Sequence, residues 1–109
     1  VFRRVRNSKY IKLADFEKNI KMVRGCLEQT YFIEIPCLGE PYYPHLPNVE
    51  KNIREYNSVA KEVFGDKYID LSGIFSEDYL GDCFHFNESG HEKIAKLVLS
   101  RVQKEVSLR

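Results

Sequence analysis

From Leu13 the apolar positions recur at Phe16, Ile20, Val23 and Leu27, in steps of three, four, three and four. That spacing gathers them on one face of a helix, and Lys12, Lys18, Lys21 and Glu28 fall on the opposite side. The pattern predicts a helix from Leu13 to a loose end near Gln29, since Gly25 costs roughly 1 kcal/mol against Ala in a helix interior. Tyr31-Phe32-Ile33-Glu34-Ile35 reads as a strand closed by Pro36, which cannot donate to a ladder. Residues 37–47 hold Gly39, Pro41, Pro44 and Pro47 with Tyr42, Tyr43 and His45, a long loop of the kind that often carries function. Asn48 is the expected N-cap of a second helix, with Val49, Ile53, Tyr56, Ala60 and Val63 on its apolar face and Gly65 just past its end. Lys67-Tyr68-Ile69-Asp70-Leu71 is a second short strand. After an irregular segment over residues 72–86, Asn87 is placed to cap a last helix whose expected buried stripe is Ile94, Leu97, Val98 and Val102. The stretch before Leu13 has no period and is expected to be irregular.

Strands alternating with helices predict an α/β arrangement with parallel strands. Two strands make a poor sheet, because parallel sheets are covered on both faces and are rarely so small. Three amphipathic helices around two strands leave an open edge, a site for pairing with another chain. Residues 1–109 are therefore expected to form a single partial domain, completed by a missing N-terminal half or by self-association.

Composition narrows the partners. Hydrophobic residues make up 43% and aromatic residues 13% of the 109, enough for a core. Seventeen Lys and Arg against sixteen Asp and Glu leave a net charge of +1, which gives no attraction to nucleic acid or to an anionic membrane. Arg3, Arg4 and Arg6 are a local basic cluster, read as a solvated loop. No apolar run approaches the ~20 residues of a membrane span, and no signal-peptide pattern opens the chain. Cys26, Cys37 and Cys83 are odd in number and lack metal-type spacing; read as reduced thiols, they favour a cytoplasmic setting.

The densest chemistry lies in Gly81-Asp82-Cys83-Phe84-His85-Phe86-Asn87-Glu88-Ser89-Gly90-His91. Asp82 sits three residues before His85, so one carboxylate can orient one imidazole within a short loop. The segment resembles the C-terminal block of the SGNH (GDSL-type) hydrolases, in which Asp-x-x-His, then Asn and Gly, precede the last helix. The likeness extends from about Ala14 to Val102, although only the Asp-x-x-His block is specific. It implies the C-terminal half of a three-layer α/β/α, flavodoxin-like domain, whose five-stranded parallel sheet would contribute its last two strands here. It also implies catalytic roles for His85 as general base and Asp82 as its partner. The family's Gly-Asp-Ser and Gly-x-Asn blocks occur nowhere in the 109 residues. The expected activity is that of a lipase-like esterase or acylhydrolase acting on O-acyl esters through Ser–His–Asp chemistry, with the serine outside this chain and the chain inactive alone.

The other polar groups have plainer roles. Asn87 and Gly90 are read as a cap and a point of close helix approach, with a capping box from Ser89 and Glu92 as the alternative. His91, with Glu88 and Glu92 nearby, has no known ligand spacing, so no metal is expected, and the triad mechanism needs no cofactor. His45 is a candidate for lining a substrate cleft. Asp70 resembles the family's strand-end Asp and is read as a loop or helix-capping group. A nucleophile within the chain, at Cys83 or Ser72, lacks an elbow or oxyanion motif. The substrate class is an acyl-ester small molecule or an acylated carbohydrate. Two other readings stay open: a non-catalytic interaction module of the same fold, and an acyltransferase in which an alcohol replaces water.

Overall fold

The computed structural model describes residues 11–107; the basic lead-in with Arg3, Arg4 and Arg6 lies outside them. Helix α1 spans Leu13–Cys26, strand β1 Phe32–Ile33, helix α2 Val49–Phe64, strand β2 Tyr68–Ile69 and helix α3 Glu88–Ser107. Short 3₁₀ turns lie at Glu40–Tyr42, Gly65–Lys67 and Ser76–Asp78. The strands are parallel, with Phe32 opposite Tyr68 and Ile33 opposite Ile69. The protein is thus a small mixed helix/strand structure with a two-stranded parallel sheet, in the predicted element order.

Both strands are shorter than the five-residue runs the sequence predicts, and the hydrogen bonds show why. The Glu34 amide still donates to the Ile69 carbonyl at 2.9 Å. The next residue, Ile35, gives both backbone groups to the side chain of Asn57 in α2, and Pro36 follows. On the other strand the Leu71 amide donates to Glu34 Oε1 at 3.2 Å. Backbone pairing gives way to side-chain pairing after two residues, so these groups stay satisfied.

Strand alternation puts Phe32 and Tyr68 on one face of the sheet, where α1 and α2 pack. Ile20, Ala60, Phe64 and Tyr68 form the buried cluster, with Phe16, Phe32, Val59 and Val63 around it. The Phe16 ring meets Tyr56 edge-on at 4.7 Å between centroids, and the Phe32 ring stacks on Tyr68 at 6.0 Å. Ile33 and Ile69 point the other way; Ile69 is buried while Ile33 is 43% exposed. Helix α3 packs on β2 and on the Ser76–Asp78 turn.

The predicted apolar faces are covered unevenly. In α1 only the first half of the stripe is packed: Ile20 is buried, while Val23 and Leu27 are exposed. The helix ends at Cys26 rather than near Gln29, where the Arg24 guanidinium reaches over to the Glu28 carbonyl. In α3 Ile94, Leu97 and Val98 are half-buried and Val102 is exposed, so the expected buried stripe is a half-buried one. The α2 stripe packs as expected, and Gly65, at φ +55, closes that helix with its amide on the Lys61 carbonyl.

Asn48 corrects an expectation. It precedes α2 but takes a left-handed conformation, φ +69, and its side chain caps nothing. A side-chain N-cap needs an extended backbone, whereas Asn tolerates the left-handed region that ends the preceding Leu46–Val49 turn.

Candidate functional site

The segment between β2 and α3 folds on itself. Phe75 and Asp78 close the 3₁₀ turn, and Tyr79 pairs with Phe86 in an isolated antiparallel bridge. Beyond that bridge the Leu80 amide donates to the His85 carbonyl at 2.8 Å, and the Cys83 amide to the Leu80 carbonyl at 3.0 Å. Residues 80–85 are therefore a closed loop, with Cys83 at φ +64 making the reversal.

That reversal brings Asp82 and His85 together. Asp82 Oδ1 accepts the amides of Phe84 and His85 at 2.9 and 3.0 Å, and Oδ2 lies 2.5 Å from His85 Nδ1. One carboxylate thus fixes its own loop with one oxygen and the imidazole with the other. The His85 and Phe84 amides, and then the His85 ring, lower the Asp82 pKa to about 2. The pair lies at the surface, with the His85 side chain 75% exposed and that of Asp82 46%. The imidazole makes no further hydrogen bond among the described residues. The two predicted site residues are thus in direct contact.

A second carboxylate, which no sequence pattern singles out, anchors the loop from below. Asp78 is 1% exposed. It accepts Lys93 Nζ at 2.8 Å, the Ser89 hydroxyl at 2.7 Å and the Phe75 amide at 3.0 Å. These partners, Lys93 first, lower its pKa to about 2. A buried charge needs such pairing, and two of the partners sit on α3, so Asp78 ties the loop to the last helix. No local pattern marks it, because Ser89 and Lys93 follow 11 and 15 residues later.

Asn87 caps α3 as predicted, its Oδ1 accepting the Gly90 amide at 3.0 Å. Its Nδ2 donates to the Glu77 carbonyl at 2.7 Å, so the cap also holds the 3₁₀ turn. The Ser89 hydroxyl is committed to Asp78 and Asn87. Gly90 is a point of close approach, its neighbour being the Asp78 carbonyl: a Cβ there would overlap that oxygen and lie 2.9 Å from Phe86 Cβ.

The remaining candidates stay apart from the pair. His45 is exposed. The open cleft of about 690 Å³ beside its loop is walled there by Tyr43 and Leu46, not His45. His91 lies against Phe86, ring centroids 6.0 Å apart, and no metal-holding cluster occurs among the described residues. Cys83 Sγ meets the Gly81 carbonyl at 3.8 Å rather than His85. Ser72 donates to Asp70, a purely local bond. The three cysteines are unpaired, and no helix is long and apolar enough to cross a membrane among the described residues.

Comparison of the chain with family models, with curated proteins and with solved structures gave no match.

Proposed function

We propose that residues 1–109 carry the Asp–His part of an SGNH-type ester hydrolase, on the C-terminal half of a three-layer α/β/α domain. The observation that carries this reading is the contact of Asp82 Oδ2 with His85 Nδ1, made by a carboxylate whose other oxygen is held by two loop amides. The helix–strand–helix–strand–helix order with parallel strands, and the Asn87-capped helix directly after the pair, support it.

With the ring proton on Nδ1 toward Asp82, His85 Nε2 presents its lone pair outward. In the proposed reaction Nε2 takes the proton of a serine hydroxyl as the oxygen attacks the ester carbonyl. It returns that proton to the departing alcohol as the acyl-enzyme forms. Water, deprotonated by the same nitrogen, then releases the acid. Asp82 holds the tautomer and stabilises the imidazolium, remaining ionised because its pKa lies far below neutrality. The serine and the oxyanion donors come from polypeptide outside residues 1–109, and no cofactor is needed. The substrate is an O-acyl ester of a small alcohol or a carbohydrate.

A fluorophosphonate probe tests the assignment. Protein extended upstream of Val1 to include a Gly-Asp-Ser block is expected to be labelled on serine, and His85→Ala to slow labelling by at least ~100-fold. Labelling at an unchanged rate in His85→Ala would overturn the reading.

A further inference from the structure

Resting on that reading of Asp82 and His85, we propose that Tyr43 is a positioning residue for the pair. It acts from the long proline-rich loop by fixing the two residues that lie between them. Tyr43 is 4% exposed, although its neighbours on both sides are exposed. Its hydroxyl accepts the Leu38 amide at 3.0 Å and donates to the Cys83 carbonyl at 3.0 Å. Its ring stacks on Phe84, centroids 4.8 Å apart and planes 21° from parallel.

Tyr43 therefore grips residues 83 and 84 by two independent means, and these are the residues that set the Asp82-to-His85 geometry. Cys83 carries the left-handed reversal, which a non-glycine residue adopts only when its surroundings impose it. Phe84 supplies one of the two amides that hold Asp82 Oδ1. Releasing the Cys83 carbonyl lets the peptide between residues 83 and 84 rotate, which withdraws that amide and frees the carboxylate from His85 Nδ1. Burial raises the Tyr43 pKa, so the phenol stays protonated and keeps its donor at working pH. The anchor is itself anchored, since the bond from Leu38 holds the phenol oxygen from the β1 side. The length and shape of residues 37–47 then have a purpose: they deliver one aromatic side chain under the catalytic loop.

The test reads the tautomer of His85, which a merely structural role would leave unchanged. In the 109-residue chain labelled with ¹⁵N-histidine, ring nitrogen shifts at a pH where the imidazole is neutral report the Nδ1–H and Nε2–H forms. The wild type is expected to hold mainly Nδ1–H. Tyr43→Phe keeps the ring stack and removes the hydroxyl that pairs Leu38 and Cys83; it is expected to at least halve the Nδ1–H fraction in protein that circular dichroism shows to be folded. Tyr68→Phe, which cuts the bond to Glu34 instead, is expected to leave the tautomer alone. An unchanged tautomer in Tyr43→Phe, or an equal change in Tyr68→Phe, overturns the proposal. Should Tyr43→Phe fail to fold, Phe84→Leu, which removes only the stack, is expected to move the tautomer in the same direction, and no movement there overturns it equally. Asp82→Asn separates the two levels. If it abolishes the Nδ1–H preference while Tyr43→Phe does not, the pair stands and the positioning role falls. If it leaves the preference intact, the coupling of Asp82 to His85 falls, and the positioning role with it.

Discussion

The side-chain amide of Asn57 meets both backbone groups of Ile35, Nδ2 donating to the carbonyl at 2.9 Å and Oδ1 accepting from the amide at 2.8 Å. An amide side chain on α2 therefore takes the place of a neighbouring strand at the point where β1 ends. This pairing turns the chain out of the sheet toward the loop that carries Tyr43.

Asn57→Leu leaves both Ile35 groups without their partner in a half-buried position. The expected loss is about 1–3 kcal/mol of unfolding free energy, read by urea titration. Asn57→Asp should also destabilise, because a carboxylate cannot donate to the Ile35 carbonyl. A midpoint unchanged in both variants would contradict this role for Asn57.

Gly90 makes a sharper claim, because the obstruction is backbone. A methyl at this position overlaps the Asp78 carbonyl and crowds the Phe86 side chain, so α3 must move away from the Ser76–Asp78 turn. Gly90→Ala is expected to cost about 1–3 kcal/mol despite the better helix propensity of alanine. A stabilised Gly90→Ala protein would show that the helix and turn do not pack this closely.

What the sequence makes legible is what is local. The starts of α1, α2 and α3 follow from apolar periods, and the Asn87 cap and the Asp82–His85 contact need only three residues of spacing. Strand length is not local: the group that ends β1, Asn57, lies 22 residues beyond Ile35. Asp78 escapes a reading by motif because its partners come from the next helix. Asn48 carries the residue type of a cap but takes a backbone that forbids one. Periodicity also shows which face of α1 and α3 is apolar without showing how much of it is covered, as Val23, Leu27 and Val102 illustrate.

Acid sensitivity follows from the two carboxylates. Asp78 and Asp82 have folded-state pKa values near 2, below the ordinary 3.8 of an unfolded aspartate. Folding thus favours their ionised forms, and the stability this contributes is present above about pH 4 and lost as pH falls toward 2. Thermal midpoints are expected to hold from neutrality to about pH 5 and to drop between about pH 4 and 2. Asp78→Asn should shrink that drop more than Asp82→Asn, because Asp78 is buried and Asp82 half-exposed. A midpoint that rises through the same window would contradict both pKa directions.

The proposed ester hydrolase, with Asp82 and His85 in residues 1–109 and its serine outside them, is tested by the rate of hydrolysis of a short-chain aryl ester. The 109-residue chain alone is expected to show no turnover above buffer. Protein extended upstream of Val1 to include the serine block is expected to turn over, with His85→Ala and Asp82→Asn each reducing kcat by about 10³–10⁴-fold. Turnover by residues 1–109 alone that is lost in His85→Ala, or an extended protein whose activity is indifferent to both substitutions, would rule out the proposed role of the pair.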